Sequence, residues 1–359
     1  MRTKLTELLE LSVPVIQAPL AGGGDTAGLV SAVSNAGALG FIGAAYLSPE
    51  QIIERGRTVR AQTSRPFGIN LFAPAPVPSA DDASVRKAVD AITPYFEELG
   101  IAAPTAPTLP ASNFDDQLAA CLESGAGVFS FTFGLLPGGA VEQIKRRNMM
   151  VIGTATTVKE AQALLATGVD AVVAQGSEAG GHRGTFGTEF ELGMVGTISL
   201  VPQMADAVSV PVIASGGIMD GRGIAAALVL GASAVQMGTA FLTCAEAGVA
   251  AAYKDAILAA TEEQTRITRA FSGRQARGIA NRLLRDYEDK DAILPFPLQN
   301  ALTRPLRTEA TRQNRAEYLS LWAGQGVRMA RRTSAAELIA RLQTEIEEAI
   351  ESIARHRRS

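Results

Sequence analysis

One stretch of this 359-residue chain gathers residue types that do chemistry: Gln175-Gly-Ser-Glu-Ala-Gly-Gly-His-Arg-Gly184. Its histidine, His182, is one of two in the sequence. An imidazole with an ordinary pKa of about 6.5 accepts or donates a proton near neutral pH. A lone histidine is more often structural, but the glycines around this one leave little core for it to fill. Acid–base work is therefore the sharper reading. Glu178 either orients the ring or caps a turn, and the sequence does not separate the two. Two further glycine turns stand out, Ser215-Gly-Gly-Ile218 and Gln236-Met-Gly-Thr239. Glycine lets backbone N–H groups approach a phosphate closely, and Thr239 adds a hydroxyl. Tight turns alone also favour glycine, yet two such turns after consecutive apolar runs favour phosphate. Neutral amides (Gln17, Asn70, Gln175, Gln236) end or sit within apolar runs. Amides offer both donors and acceptors, which suits a heteroaromatic ring bearing carbonyls and N–H groups.

These residues need a frame. Apolar runs bounded by Gly, Pro or Asn at 13–17, 39–43, 67–72, 127–131, 149–153, 171–174, 211–214 and 234–237 predict eight strands, nearly all separated by helical segments. Strands that are apolar throughout are covered on both faces, as in parallel sheets. Eight such units predict an α/β fold, a (β/α)8 TIM barrel over residues 1–247 with an insertion at 73–125. Residues 248–359 predict a mostly helical segment packed over one end of that barrel. Active sites of such barrels lie at the carboxyl ends of the strands, with phosphate on the loops after strands seven and eight. The two glycine turns fall there.

Composition narrows the partners. With 47% hydrophobic residues the chain has material for a large core, and a net charge of −3 gives no electrostatic case for nucleic acid or an anionic membrane surface. Two cysteines, Cys121 and Cys244, do not make a disulfide framework and fit a cytoplasmic setting; with the histidines they share no metal-ligand spacing. Glu7 and Glu10 interrupt any signal-peptide core. The uncharged run 224–245 is long enough to span a bilayer, but Gly231, Ser233, Gln236, Gly238 and Thr239 divide it into helix, turn and strand.

Several motifs together resemble the class I nitronate monooxygenases, formerly called 2-nitropropane dioxygenases: Gln17-Ala-Pro-Leu-Ala-Gly-Gly, Asn35-Ala-Gly-Ala-Leu-Gly, Phe67-Gly-Ile-Asn-Leu-Phe, the 175–184 loop, Ala214-Ser-Gly-Gly-Ile, Gln236-Met-Gly-Thr-Ala-Phe, Phe271-Ser-Gly-Arg-Gln-Ala-Arg-Gly and Trp322-Ala-Gly-Gln-Gly. The likeness covers most of the chain and is weakest over 73–125. Leu20 stands where the family's opening motif has methionine. The resemblance implies FMN in the barrel, contacted by Ala18, Asn70, Gln175, Gly180, Gly217, Gln236, Met237, Gly238 and Thr239, with His182 as the catalytic histidine. It implies oxidation of an alkyl nitronate, such as propionate 3-nitronate, by O2 to a carbonyl product and nitrite. The alternatives are an FMN-dependent enoyl-acyl-carrier-protein reductase, an NAD(P)H:quinone reductase, or a flavin-free barrel, either a phosphate-binding lyase or a non-catalytic binding protein.

Overall fold

The computed structural model describes all residues except 77, 110–113, 289–290 and 357–359, and the eight apolar runs form one parallel sheet in it. The sheet strands are β1 (Val15–Gln17), β2 (Gly40–Gly43), β3 (Phe67–Phe72), β4 (Val128–Thr132), β5 (Met150–Ala155), β6 (Ala171–Gln175), β8 (Val212–Ser215) and β9 (Ala234–Met237); β7 (Gly181–His182) lies outside it. The hydrogen-bonded order is β1-β9-β8-β6-β5-β4-β3-β2, and a parallel bridge between Ile16 and Leu39 joins the ends into a ring. The fold is a (β/α)8 barrel.

The seam at β1 and β2 gives one amide a structural task. With a single bridge there, the Gln17 side chain extends the pairing: its Oε1 accepts from Phe41 N at 3.0 Å and its amide donates to Ala18 O. Gln17 is fully buried and does not line the cavity described below. Of the four amides expected at a ligand, this one belongs to the wall.

Ile16, Phe41, Val128, Ile152, Val173 and Ile213 fill the barrel interior, together with Leu5 of the helix Lys4–Leu8. Thr3 Oγ1 donates to Ser233 O just before β9, so this helix closes the amino-terminal end of the strands. A larger cluster fills the space between strands and outer helices. Full burial of one such aliphatic or aromatic side chain is worth roughly 1.5–3 kcal/mol.

The segment after residue 247 does two jobs. The helix Ala335–His356 packs against the helices Gly221–Val229 and Ala27–Asn35, taking the last place in the outer ring and not a place over a barrel end. Glu345 ties it there by accepting from Gly221 N at 3.1 Å. Its sequence pattern announces a docking face without saying against what. Residues between form a second cap with the 73–125 excursion: Ile92 and Phe96 share an apolar cluster with Phe271, Leu283, Tyr287, Leu306 and Tyr318. This region also holds two strands that its helical reading did not anticipate, β10 (Thr265–Thr268) and β11 (Ala276–Ile279). They pair antiparallel with each other, and β11 pairs with β7. The uncharged run resolves into Gly221–Val229, β9 and Thr239–Leu242. Among the described residues no helix is long and apolar enough to cross a membrane.

Candidate active site

The carboxyl ends of the barrel strands open on a cavity of about 590 Å³, a size suited to a cofactor or small molecule. Ala18, Asn70, Gln175, Gly180, Gly217, Gln236, Met237, Gly238, Thr239 and His182 all line it. Ten residues spread over more than half the chain are thus brought to one place by the strand ends.

The His182 loop is held from several sides. Its backbone pairs with Ala276 in the β7–β11 ladder. Gln175 spans the loop, its Nε2 donating to His182 O at 3.0 Å and its Oε1 accepting from Gly184 N at 2.8 Å. One amide hydrogen of Gln175 remains for a ligand. Arg183 is buried and donates to the carbonyls of Gly176 (2.5 Å), Gln175 (3.1 Å) and Gly193 (2.9 Å). Glu178 proves to be a helix cap. Gly196 begins the helix Thr197–Ala207 without a capping side chain, and Glu178 accepts from Thr197 N at 2.9 and 3.0 Å and from Thr197 Oγ1 at 2.8 Å.

Around the ring lie aromatic groups and cations. Phe133, Phe296 and Trp322 stand 5.9, 6.1 and 5.5 Å from the imidazole, centroid to centroid. Arg274 lies over Phe133 at 4.0 Å and donates to the carbonyls of Arg183 and Thr185. Burial holds the His182 pKa down to about 3, and repulsion from Arg274 and Arg307 acts in the same direction. The ring is neutral at physiological pH. Arg307 lines the cavity and donates to Thr303 Oγ1 and to Asn300 O and Oδ1; among the described residues it meets no carboxylate. Burial, with Arg304 adding to it, brings Arg307 down to about 10, still protonated at neutral pH. Sequence reasoning passed over Arg274, Arg307, Phe133 and Ser272, whose Oγ lies 2.8 Å from His182 Nε2. The Phe271-Ser-Gly-Arg274 motif was the available signal for two of them.

Glycine backbone also lines the cavity after β8 and β9. Gly216 and Gly217 take φ of +127° and +70°, values that favour glycine. Thr239 Oγ1 accepts from Gly324 N at 2.9 Å and donates to no group among the described residues, which leaves its proton for a ligand. Asn70 donates to Ser130 Oγ at 2.8 Å.

Asp25 braces the turn after β1, accepting at Oδ2 from Leu20 N (2.8 Å) and Gly43 N (2.6 Å). Burial raises its pKa to about 7 against these hydrogen bonds. The folded state therefore holds a proton that the unfolded chain releases near pH 4. Stability falls as pH rises from about 4 to about 7, and the full cost is present above that. Asp25→Asn, which keeps an acceptor oxygen without the charge, is expected to stabilise the protein at pH 8 by up to on the order of 4 kcal/mol, and hardly at pH 4. Urea unfolding at the two pH values checks this.

A closed barrel with a glycine-lined, amide-bearing cavity at its strand ends, and one neutral histidine among aromatic rings and arginines, has the layout of a barrel enzyme with its site at the carboxyl ends of the strands. Within that class the chain belongs to the nitronate monooxygenase family, whose family model matches residues 2–345. It is 42% identical over 344 residues to a probable nitronate monooxygenase of Staphylococcus saprophyticus, covering 94% of this chain and 95% of the relative. A probable nitronate monooxygenase of Staphylococcus aureus is 43% identical over 331 residues, covering 92% and 93%. Among solved structures, nitroalkane oxidase from Streptomyces ansochromogenes superposes with a TM-score of 0.90 at 38% identity, over 97% of this chain and 99% of that one. FabK from Thermotoga maritima superposes at 0.78 with 29% identity, over 99% of each.

Proposed function

We propose that the cavity binds FMN and oxidises small alkyl nitronates with O2, releasing nitrite and a carbonyl product. The observation that carries this reading is the cationic side of the cavity. Arg307 faces it without a carboxylate partner among the described residues, beside a histidine kept neutral. A half-buried, uncompensated cation is costly unless an anion completes it, and a nitronate is a small anion.

The donor set fits FMN. Gly217, Gly238 and Thr239 offer backbone N–H groups and a hydroxyl to a phosphate, as the loops after strands seven and eight of such barrels do. Ala18, Asn70, Gln175, Gly180, Gln236 and Met237 are the groups for the ring. FMN supplies the electron transfer that no side chain here can perform. The protein's own residues do the rest. Arg307 holds the anion, the walls that include Phe133 and Trp322 exclude water, and His182 takes the α-proton when the molecule arrives as a neutral nitroalkane.

Anaerobic mixing of the FMN-loaded protein with propionate 3-nitronate is expected to bleach the flavin absorbance. Rapid bleaching by NAD(P)H alone, with none by the nitronate, would overturn this reading in favour of a reductase. Arg307→Met is expected to lower kcat/KM for nitronates by about tenfold, the scale of one charge-assisted contact. Neutral nitroalkanes, which become anionic only as the α-proton leaves, should lose less, and stability should hold or improve because an unpaired cation is removed. Parallel kinetics on ethyl nitronate and nitroethane test it.

A further inference from the structure

We propose that Ser272 is the positioning residue that fixes His182 in its Nε2–H tautomer, leaving Nδ1 as the proton-accepting nitrogen that faces the cavity. Which nitrogen of an imidazole carries the proton is set by the partner of the other. Ser272 is buried, and its Oγ has three neighbours: His182 Nε2 at 2.8 Å, Arg274 O at 3.1 Å and Arg274 N at 3.3 Å. A hydroxyl has one proton. Given to the Arg274 carbonyl, which can only accept, that proton leaves the hydroxyl oxygen to accept from both Arg274 N–H and His182 Nε2–H; this is the arrangement proposed.

The other nitrogen is free. Nδ1 makes no hydrogen bond among the described residues, and among them the sole sealed side-chain nitrogen or oxygen without a partner is Arg183 Nε. Nδ1 is therefore open to the cavity that His182 lines. The Ser272 turn has little slack. Gln299 Nε2 donates to Ala270 O at 2.8 Å, Thr303 Oγ1 donates to Phe271 O, and Arg269 Nε donates to Gly273 O at 3.1 Å. Both Gln299 and Thr303 belong to the helix Leu298–Arg312, which also carries Arg307. The arrangement couples the orientation of the histidine to the helix that supplies the cation.

For the reaction, the kinetic part of this inference rests on the proposed function. A neutral nitroalkane loses its α-proton to the Nδ1 lone pair; the C–H bond breaks, its electron pair passes into the nitro group, and the nitronate forms beside an imidazolium. Only then does Nδ1–H become a donor to that anion. A nitronate that arrives preformed meets a lone pair and depends on Arg307.

The tautomer is a property of the protein itself and is read by 15N NMR of the histidine side chains in the FMN-loaded protein, with His182→Asn assigning the signals. The expected pattern for His182 at neutral pH is a pyrrole-type Nε2 and a pyridine-type Nδ1; the reverse pattern overturns the proposal. Ser272→Ala is expected to mix the two tautomers and to lower kcat on nitroethane about 10- to 100-fold, the usual scale for a residue that orients a reacting group. KM should stay within about twofold at full flavin content, and Ser272→Thr, which restores the hydroxyl, should recover most of the rate. If Ser272→Ala keeps the wild-type tautomer and rate, the serine merely closes its turn and the proposal fails. A wild-type protein with the expected tautomer but no turnover of either compound class would sink the proposed function and leave the tautomer assignment standing.

Discussion

Replacing His182 by asparagine is expected to leave FMN bound and to cut turnover of neutral nitroalkanes by about 10²- to 10⁴-fold, with a smaller loss on preformed nitronates. The asymmetry follows from charge. His182 is neutral at working pH, so it is always in its proton-accepting form, and the nitronate generated by the transfer offsets an imidazolium that Arg274 and Arg307 both repel. A preformed nitronate needs no such transfer. Steady-state rates on nitroethane and ethyl nitronate, with flavin-to-protein ratio measured for each preparation, decide it; equal loss on both would remove the proton-transfer role.

The same substitution carries a stability signature. The folded state resists a proton that the unfolded chain accepts near pH 6.5, so this residue's contribution is present above that pH and is lost as pH falls toward about 3. Asp25 acts in the opposite sense over an overlapping range, losing stability as pH rises toward about 7. The His182→Asn variant should therefore retain more of its pH 7 stability at pH 4 than the parent does.

How much of this was legible in the sequence depends on how local each feature is. The eight strands read clearly because strands buried on both faces are contiguous apolar runs, and each observed strand lies within a residue or two of its run. The gathering of Asn70, Gln175, Gln236 and His182 at one cavity follows from barrel geometry once the strands are placed. What was hidden is set by pairing across long separations. β7 is two residues among glycines, and it is a strand because β11 lies beside it. Gln17 looked like a ligand amide because it ends β1, but the thin seam to β2 claims it. Ser272 could not be paired with His182 by spacing, because nothing local links a serine in one turn to a histidine in another. Arg307 reads from sequence as one more arginine on a helix, and what makes it notable is that it meets no carboxylate among the described residues.

Glycines mark the same limit, and two of them give the other large predicted effect. Gly180 and Gly238 both fit a cofactor-binding motif, yet an added Cβ meets different surroundings. At Gly180 it would lie 2.5 Å from the backbone of Ala323 and Gly324, so this glycine lets two chain segments touch. Gly180→Ala must push that segment away and is expected to cost about 1–3 kcal/mol, as overpacking does, visible as a lower thermal midpoint without added FMN. At Gly238 the nearest atoms are Ala18 Cβ at 3.7 Å and Leu20 at 3.8 Å, its φ of −104° suits any residue, and a longer side chain would enter the cavity. Gly238→Leu is therefore expected to leave the midpoint without FMN nearly unchanged while weakening FMN binding at least about 100-fold, roughly 3 kcal/mol, and abolishing turnover with it. Flavin content after gel filtration, beside thermal unfolding of both variants, separates the two kinds of glycine. A Gly238→Leu protein that stays yellow and active would mean the phosphate turn is not at this strand end, and the cofactor assignment around Thr239 would have to be abandoned.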